Sequence, residues 1–158
     1  MMLILGIDPG SIKTGYGIIK LIKHQQTYVT SGHIKIVGDN LGYKLKQIYD
    51  DLLQIINQYR PEQVSIEKVF VHKNVASALK LGQARGAAMV AAASIGLPIY
   101  EYSVRTIKQT IVGNGNASKQ QIQTFVQNLL YLNQPPQQDA ADALAIAMCH
   151  AIHLNKYK

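Results

Sequence analysis

The chain opens on LILGID at 3–8, an apolar run that ends in Asp8. A strand apolar on both faces belongs in the middle of a sheet covered on both sides. Pro9-Gly10-Ser11 marks a turn, and 14–23 and 26–36 read as two further strands joined around His24-Gln25. Thr27, Val29, Ile34 and Ile36 favour extended backbone there. From 41 to 59 the spacing changes. Leu41, Leu45, Ile48, Leu52, Ile55 and Ile56 form a stripe at helical intervals, and Pro61 stops it. QVSIEKV at 63–69 predicts a fourth strand. A helix follows over about 75–95, and its second half, GAAMVAAASIG at 86–96, is apolar all round. Such a helix needs cover on more than one side. PIYEY at 98–102 predicts a fifth strand, and 103–111 a short helix. After the flexible loop Gly113-Asn114-Gly115-Asn116, Ser118 and Gln121 have the spacing of a capping box, which starts a helix reaching about 132. Pro135-Pro136 breaks the chain before a last helix over about 138–154.

The order is β-β-β-α-β-α-β-α-α-α. Consecutive strands predict an antiparallel meander, and strands separated by helices predict parallel crossovers. The expected fold is α/β: a mixed five-stranded sheet with helices on both faces, arranged as in ribonuclease H. Its 158 residues, with no Pro- or Gly-rich linker, no repeat and no low-complexity tract, fit a single domain over 1–158.

Composition adds a partner class. Sixteen Lys and Arg against nine Asp and Glu give a net charge of +7. A basic domain attracts polyanions, of which nucleic acid is the commonest. The apolar start is short and has no basic segment before it, so no signal peptide is expected. The stretch from Gly86 to Tyr100 is too short to span a bilayer, so no membrane role is expected. Cys149 stands alone, so no intrachain disulfide forms, and a reducing cytoplasm fits.

Acidic residues are scarce enough to weigh singly. Asp8 ends a central strand, where open α/β sheets bind ligands; it also fits a turn opened by its own side chain. Glu67 ends the fourth strand, opposite in alternation to Val64 and Ile66, and also fits a solvent-facing position. Asp139 and Asp142 share one face of the last helix, one turn apart; acids there also complement the helix dipole. Taken together, carboxylates from two strand ends and one helix start can converge. Their repulsion then calls for a cation. All-oxygen donors without a Cys or His cluster suit Mg²⁺ or Mn²⁺ rather than zinc. Beside a basic surface, that set suggests two-metal phosphodiester cleavage.

LGIDPGSIKTGYG at 5–17, IEKVFVHKN at 66–74, ALKLGQARG at 78–86 and DAADALAIA at 139–147 resemble the RuvC family of Holliday junction resolvases. GNGNASK at 113–119 matches a looser segment of that family. The match runs in order over nearly the whole chain. It implies a ribonuclease H-like homodimer that resolves four-way DNA junctions in recombination and repair. Two symmetric nicks would leave 5′-phosphate and 3′-hydroxyl ends. Asp8, Glu67, Asp139 and Asp142 fall on the family's four metal-binding acids, for two Mg²⁺ ions with Mn²⁺ as substitute. Some members carry His where Asp142 stands. Lys108 and Lys119 fall on basic positions near the scissile strand, and Phe70 on an aromatic that contacts unpaired bases. The branch-migration proteins RuvA and RuvB are the implied partners.

Phe70 otherwise fits a core aromatic closing its strand. Lys73, Lys80, Arg85, Lys108 and Lys119 fit either a phosphate-binding face or solvated charges. His150 and His153 are expected as packing or surface residues. The uncovered side of the 86–96 helix is expected to meet its own copy across a two-fold axis, unless another helix of the same chain covers it. Three rival functions share some of these features. An actin- or sugar-kinase-like ATPase needs a second lobe, for which the chain has no room. A nuclease acting on RNA–DNA hybrids shares fold and metals. A non-catalytic junction binder does not need the full acid set.

Overall fold

The computed structural model describes residues 1–71 and 74–156. Five strands form one sheet: β1 (Met2–Asp8), β2 (Lys13–Ile22), β3 (Gln25–Lys35), β4 (Gln63–Glu67) and β5 (Ile99–Tyr102), in spatial order β3-β2-β1-β4-β5. β1 and β2 pair antiparallel, as do β2 and β3, while β4 runs parallel to both β1 and β5. This is the expected meander followed by parallel crossovers. The helices are α1 (Leu41–Tyr59), α2 (Val75–Ala93), α3 (Val104–Val112), α4 (Lys119–Leu129) and α5 (Gln138–Lys156). No described helix is long and apolar enough to cross a membrane.

Alternation along β1 divides the core in two. Leu5 and Ile7 pack with Ile48, Leu52 and Ile56 of α1 and with Ala84, Ala88, Ala91 and Ala92 of α2. Ile4, on the other face, packs with Ile107 and Ile111 of α3, Ile122 and Val126 of α4, and Leu144 and Met148 of α5. β1 is covered on both sides, as its unbroken apolar run requires.

Glycines set the distance between α5 and the sheet. A Cβ on Gly6 would stand 2.0 Å from the Ala143 carbonyl oxygen, and one on Gly15 2.2 Å from that of Asp139. One on Gly17 would lie 2.8 Å from Leu144. Only residues without side chains at these three positions let the helix backbone lie directly on the strands. The contact brings the start of α5, with its two aspartates, over the ends of β1 and β2. On β4 the buried Ser65 hydroxyl donates to the Ile146 carbonyl at 3.1 Å and fixes the helix from the other side.

The capping box at Ser118 and Gln121 is formed in both directions. α2 is buried on one side only. Ala88, within the stretch expected to pair with a second copy, has 0% exposure and faces the core. The uncovered stripe instead runs through Val75, Leu79 and Val90, which are 63%, 63% and 56% exposed, with Gly82 and Gly86 between them. No other helix of the described residues covers this stripe.

Candidate active site

Asp8 and Glu67 meet because of strand register. β1 and β4 are parallel neighbours, and their register ends at Ile7↔Ile66, so Asp8 and Glu67 stand one step further at the same level. Alternation places Asp8 on the face of Gly6 and Glu67 on the face of Ser65, both of which touch α5. Glu67 therefore points away from Val64 and Ile66, but toward a helix rather than into open solvent. The turn after Asp8 is tied by Thr14, whose hydroxyl donates to the Gly10 carbonyl at 3.1 Å and accepts from the Gly10 amide at 3.3 Å.

The result is one pocket of about 230 Å³ lined by Asp8, Glu67 and Asp142, with Lys108 from α3 and Lys119 from the first turn of α4. Val104, Ile107, Ile122, Ala145 and Ile146 form its apolar wall. Asp139 lies beside the pocket. Its main chain rests on Gly15, and its charge acts on both Asp8 and Asp142.

Burial and crowding of like charges act in one direction here. Asp8 is pushed up to about 8, first by desolvation and then by Glu67, Asp142 and Asp139, against the pull of Lys119. Glu67 rises to about 7 through desolvation and Asp142, opposed by Lys119 and Lys108. Asp142 rises to about 6, again chiefly through desolvation, with Lys119 the larger opposing influence. Three neighbouring carboxyl groups with raised pKa values mark a functional site more often than a structural ion-pair network, which normally lowers them. Two lysines do not neutralise the four acids. The donor set is hard oxygen throughout and fits a divalent cation of the Mg²⁺ class. Among the described residues, no three His, Cys, Asp or Glu side chains are already drawn together as a ligand shell. Asp8, Glu67 and Asp142 share a pocket and Asp139 adds its charge from beside it, but the side chains do not converge on a single point.

The other candidate residues fall in different places. Phe70 is 71% exposed, which removes the core alternative. It borders a second groove of about 530 Å³ with Lys68 and Arg105. Lys80 lines a separate groove with Ser11, Asp39 and Lys44. Lys73 lies outside the described residues. Arg85 turns inward: its Nε donates to the Glu67 carbonyl at 2.9 Å, and its guanidinium also pairs with Glu101 on β5. It braces the end of β4. Nothing in the spacing of the sequence distinguished it from the other cations. His150 is buried and bonded to the Tyr102 hydroxyl and to Gln63, at 2.7 Å each. It fastens β5 to α5 as a packing residue, as expected.

A mixed sheet in this order, with carboxylates ending two central parallel strands and opening the helix laid across them, defines a ribonuclease H-like protein. The sequence profile of the crossover junction endodeoxyribonuclease RuvC matches residues 4–150. The chain belongs to the RuvC family. It is 56% identical to the crossover junction endodeoxyribonuclease RuvC of Pseudoalteromonas atlantica over 156 residues, covering 99% of this chain and 90% of that one. With the Shewanella sediminis protein of the same name it shares 55% over 150 residues, covering 95% and 87%. The T. thermophilus RuvC solved in complex with Holliday junction substrate superposes with a TM-score of 0.92 at 31% identity, covering 99% and 97% of the two chains. A yeast mitochondrial Holliday junction resolvase, at 11% identity and a TM-score of 0.64, shares the fold.

Proposed function

We propose that this chain is a structure-specific endonuclease that resolves four-way DNA junctions in recombination and repair. The observation that carries the reading is the single pocket in which Asp8, Glu67 and Asp142 face Lys108 and Lys119. Family membership supports the substrate, as does a relative solved with a Holliday junction. The whole chain would work as one nuclease domain.

Asp8, Glu67 and Asp142, with Asp139 beside them, would hold divalent metal: two Mg²⁺ ions, with Mn²⁺ able to substitute. Such ions, when bound, activate water and stabilise the leaving oxygen in phosphodiester hydrolysis. The protein's own share is positional. The charges of Glu67, Asp142 and Asp139 all act on Asp8, which makes it the common neighbour of the set. The apolar wall of Ile107, Ile122 and Ile146 keeps the local dielectric low and so strengthens each charge interaction. Lys108 and Lys119 lower the acids' pKa values and draw in the scissile phosphate. Exposed Phe70 stacks on a base splayed at the crossover, worth about 1–3 kcal/mol. Lys80 would meet a phosphate further away, and Lys73, outside the described residues, is a further candidate contact. The products would carry 5′-phosphate and 3′-hydroxyl ends.

The working unit would be a homodimer built on the α2 stripe. Gly82 and Gly86 lie inside a helix, where each costs about 1 kcal/mol against Ala. A Cβ on either would meet nothing within 4 Å, so packing within the chain does not account for them. Close approach of a second α2 does, and the two-fold gives two active sites for the two like strands of a junction. RuvA and RuvB would be the branch-migration partners, and the cytoplasm the compartment.

Incubation of a synthetic mobile four-way junction, an RNA–DNA hybrid and a linear duplex with and without Mg²⁺ tests the reading. Mg²⁺-dependent cleavage confined to the junction is expected. Cleavage of the hybrid in preference to the junction would overturn it.

A further inference from the structure

Arg105 is exposed and sits in the first turn of α3. A cation there opposes the helix dipole, and α3 has no acid in that turn. Among the described residues the ion pairs are Lys46–Asp50 and Arg85–Glu101, so no acid partner holds Arg105. Stability does not explain the residue.

Its side chain is nonetheless placed. A Cβ on Gly115 would stand 2.8 Å from Arg105 Cγ and 3.3 Å from Nε, so the arginine stem lies across Gly115. The backbone of Gly115 is not in the left-handed region. A Cβ at this position would displace the arginine stem from where it lies, while the glycine's own φ makes no demand. The loop beneath is tied to α3: the Gly115 amide donates to Gln109 Oε1 at 3.1 Å, and Gln109 Nε2 donates to the Gly113 carbonyl at 3.1 Å. The groove that Arg105 enters is lined by Lys68, Phe70, Ser103, Gly115 and Asn116. It shares Val104 with the carboxylate pocket.

We infer that this groove is the subsite for the nucleotide next to the scissile one, with Arg105, set by Gly115, gripping its phosphate beside the Phe70 ring. This rests on the nuclease reading above. An aromatic face, two cations and a side-chain amide in one trough are the groups that hold a single-stranded nucleotide. The groove adjoins the carboxylate pocket through Val104.

The test uses junctions carrying one neutral methylphosphonate at a time, at each of the three phosphates on either side of the cut. At one position, next to the scissile phosphate, the substitution should slow the wild-type protein about tenfold or more and leave Arg105→Ala no slower than it already is. Gly115→Ala should behave like Arg105→Ala at that position, and the double variant should lose little beyond either single one. Arg105→Lys should restore part of the sensitivity. In parallel, the salt dependence of junction binding should flatten by roughly one unit of slope in Arg105→Ala. Identical methylphosphonate profiles in wild type and Arg105→Ala overturn the subsite while leaving the nuclease reading intact. A wild-type protein that cuts no junction overturns that reading, and the subsite with it.

Discussion

Asp8→Asn should abolish cleavage and at the same time stabilise the metal-free protein. The carboxyl group has a pKa near 8 in the folded chain against an ordinary 3.8. As pH rises from about 4 to about 8, the unfolded chain releases this proton while the folded chain keeps it. The folded state then binds more protons, so stability falls with pH across that window and levels off above it. At about 1.4 kcal/mol per pKa unit, the upper bound is about 5–6 kcal/mol, and Glu67 and Asp142 share part of the coupling. Local relaxation and water entry should leave about 1–3 kcal/mol. Asn has nearly the same shape and no proton to lose. The expected gain in Tm is roughly 3–10 °C at pH 8, shrinking toward zero near pH 4. Thermal melts of both proteins with a chelator, at half-unit pH steps, measure it. Adding Mg²⁺ should raise the Tm of the wild type more than that of the variant. Equal or lower stability of Asp8→Asn at pH 8 would refute the electrostatic account of the pocket.

Lys108→Ala and Lys119→Ala should each flatten the salt dependence of junction binding by about one unit of slope; an unchanged slope takes that lysine off the DNA. Phe70→Ala should alter stability by no more than about 0.5 kcal/mol, because the ring is exposed, while junction cleavage drops several-fold or more; a Tm loss of core size would contradict this. Arg85→Met should leave the salt slope unchanged yet slow cleavage about tenfold or more and raise the Mg²⁺ concentration needed for half-maximal rate, since it frees the Glu67 carbonyl; a flattened slope would make Arg85 a DNA contact. Val90→Glu should yield monomers in sedimentation equilibrium near micromolar concentration, and a monomeric wild type would refute the α2 interface.

Much of this architecture was legible in the sequence. Element boundaries fall within three residues of those expected, because apolar period, Pro61, the Ser118 capping box and Pro135-Pro136 all act locally. Asp8, Glu67 and Asp142, which line one pocket, stood out in the sequence because acids are scarce. What was not legible is set by contacts distant in sequence. The reason for Gly6, Gly15 and Gly17 is the backbone of α5, more than 120 residues away. Arg85 resembled any helical cation until β4 and β5 stood beside it. Arg105 became informative only once Gly115 lay beneath it. On α2, the all-apolar composition hid which side faces the sheet, and small residues at 84, 88, 91 and 92 took the core while Val90 was left outside.

The most direct test of the account is to map cuts on a four-way junction labelled in turn on each strand, with wild-type protein and with Asp8→Asn, Glu67→Gln and Asp142→Asn. The account predicts paired, symmetric, Mg²⁺-dependent nicks in two like strands, sealed by ligase without further processing. It also predicts that each variant still binds the junction but loses cleavage by several orders of magnitude. Substantial Mg²⁺-dependent cleavage by any of the three variants would contradict the assignment of that carboxylate to the active centre.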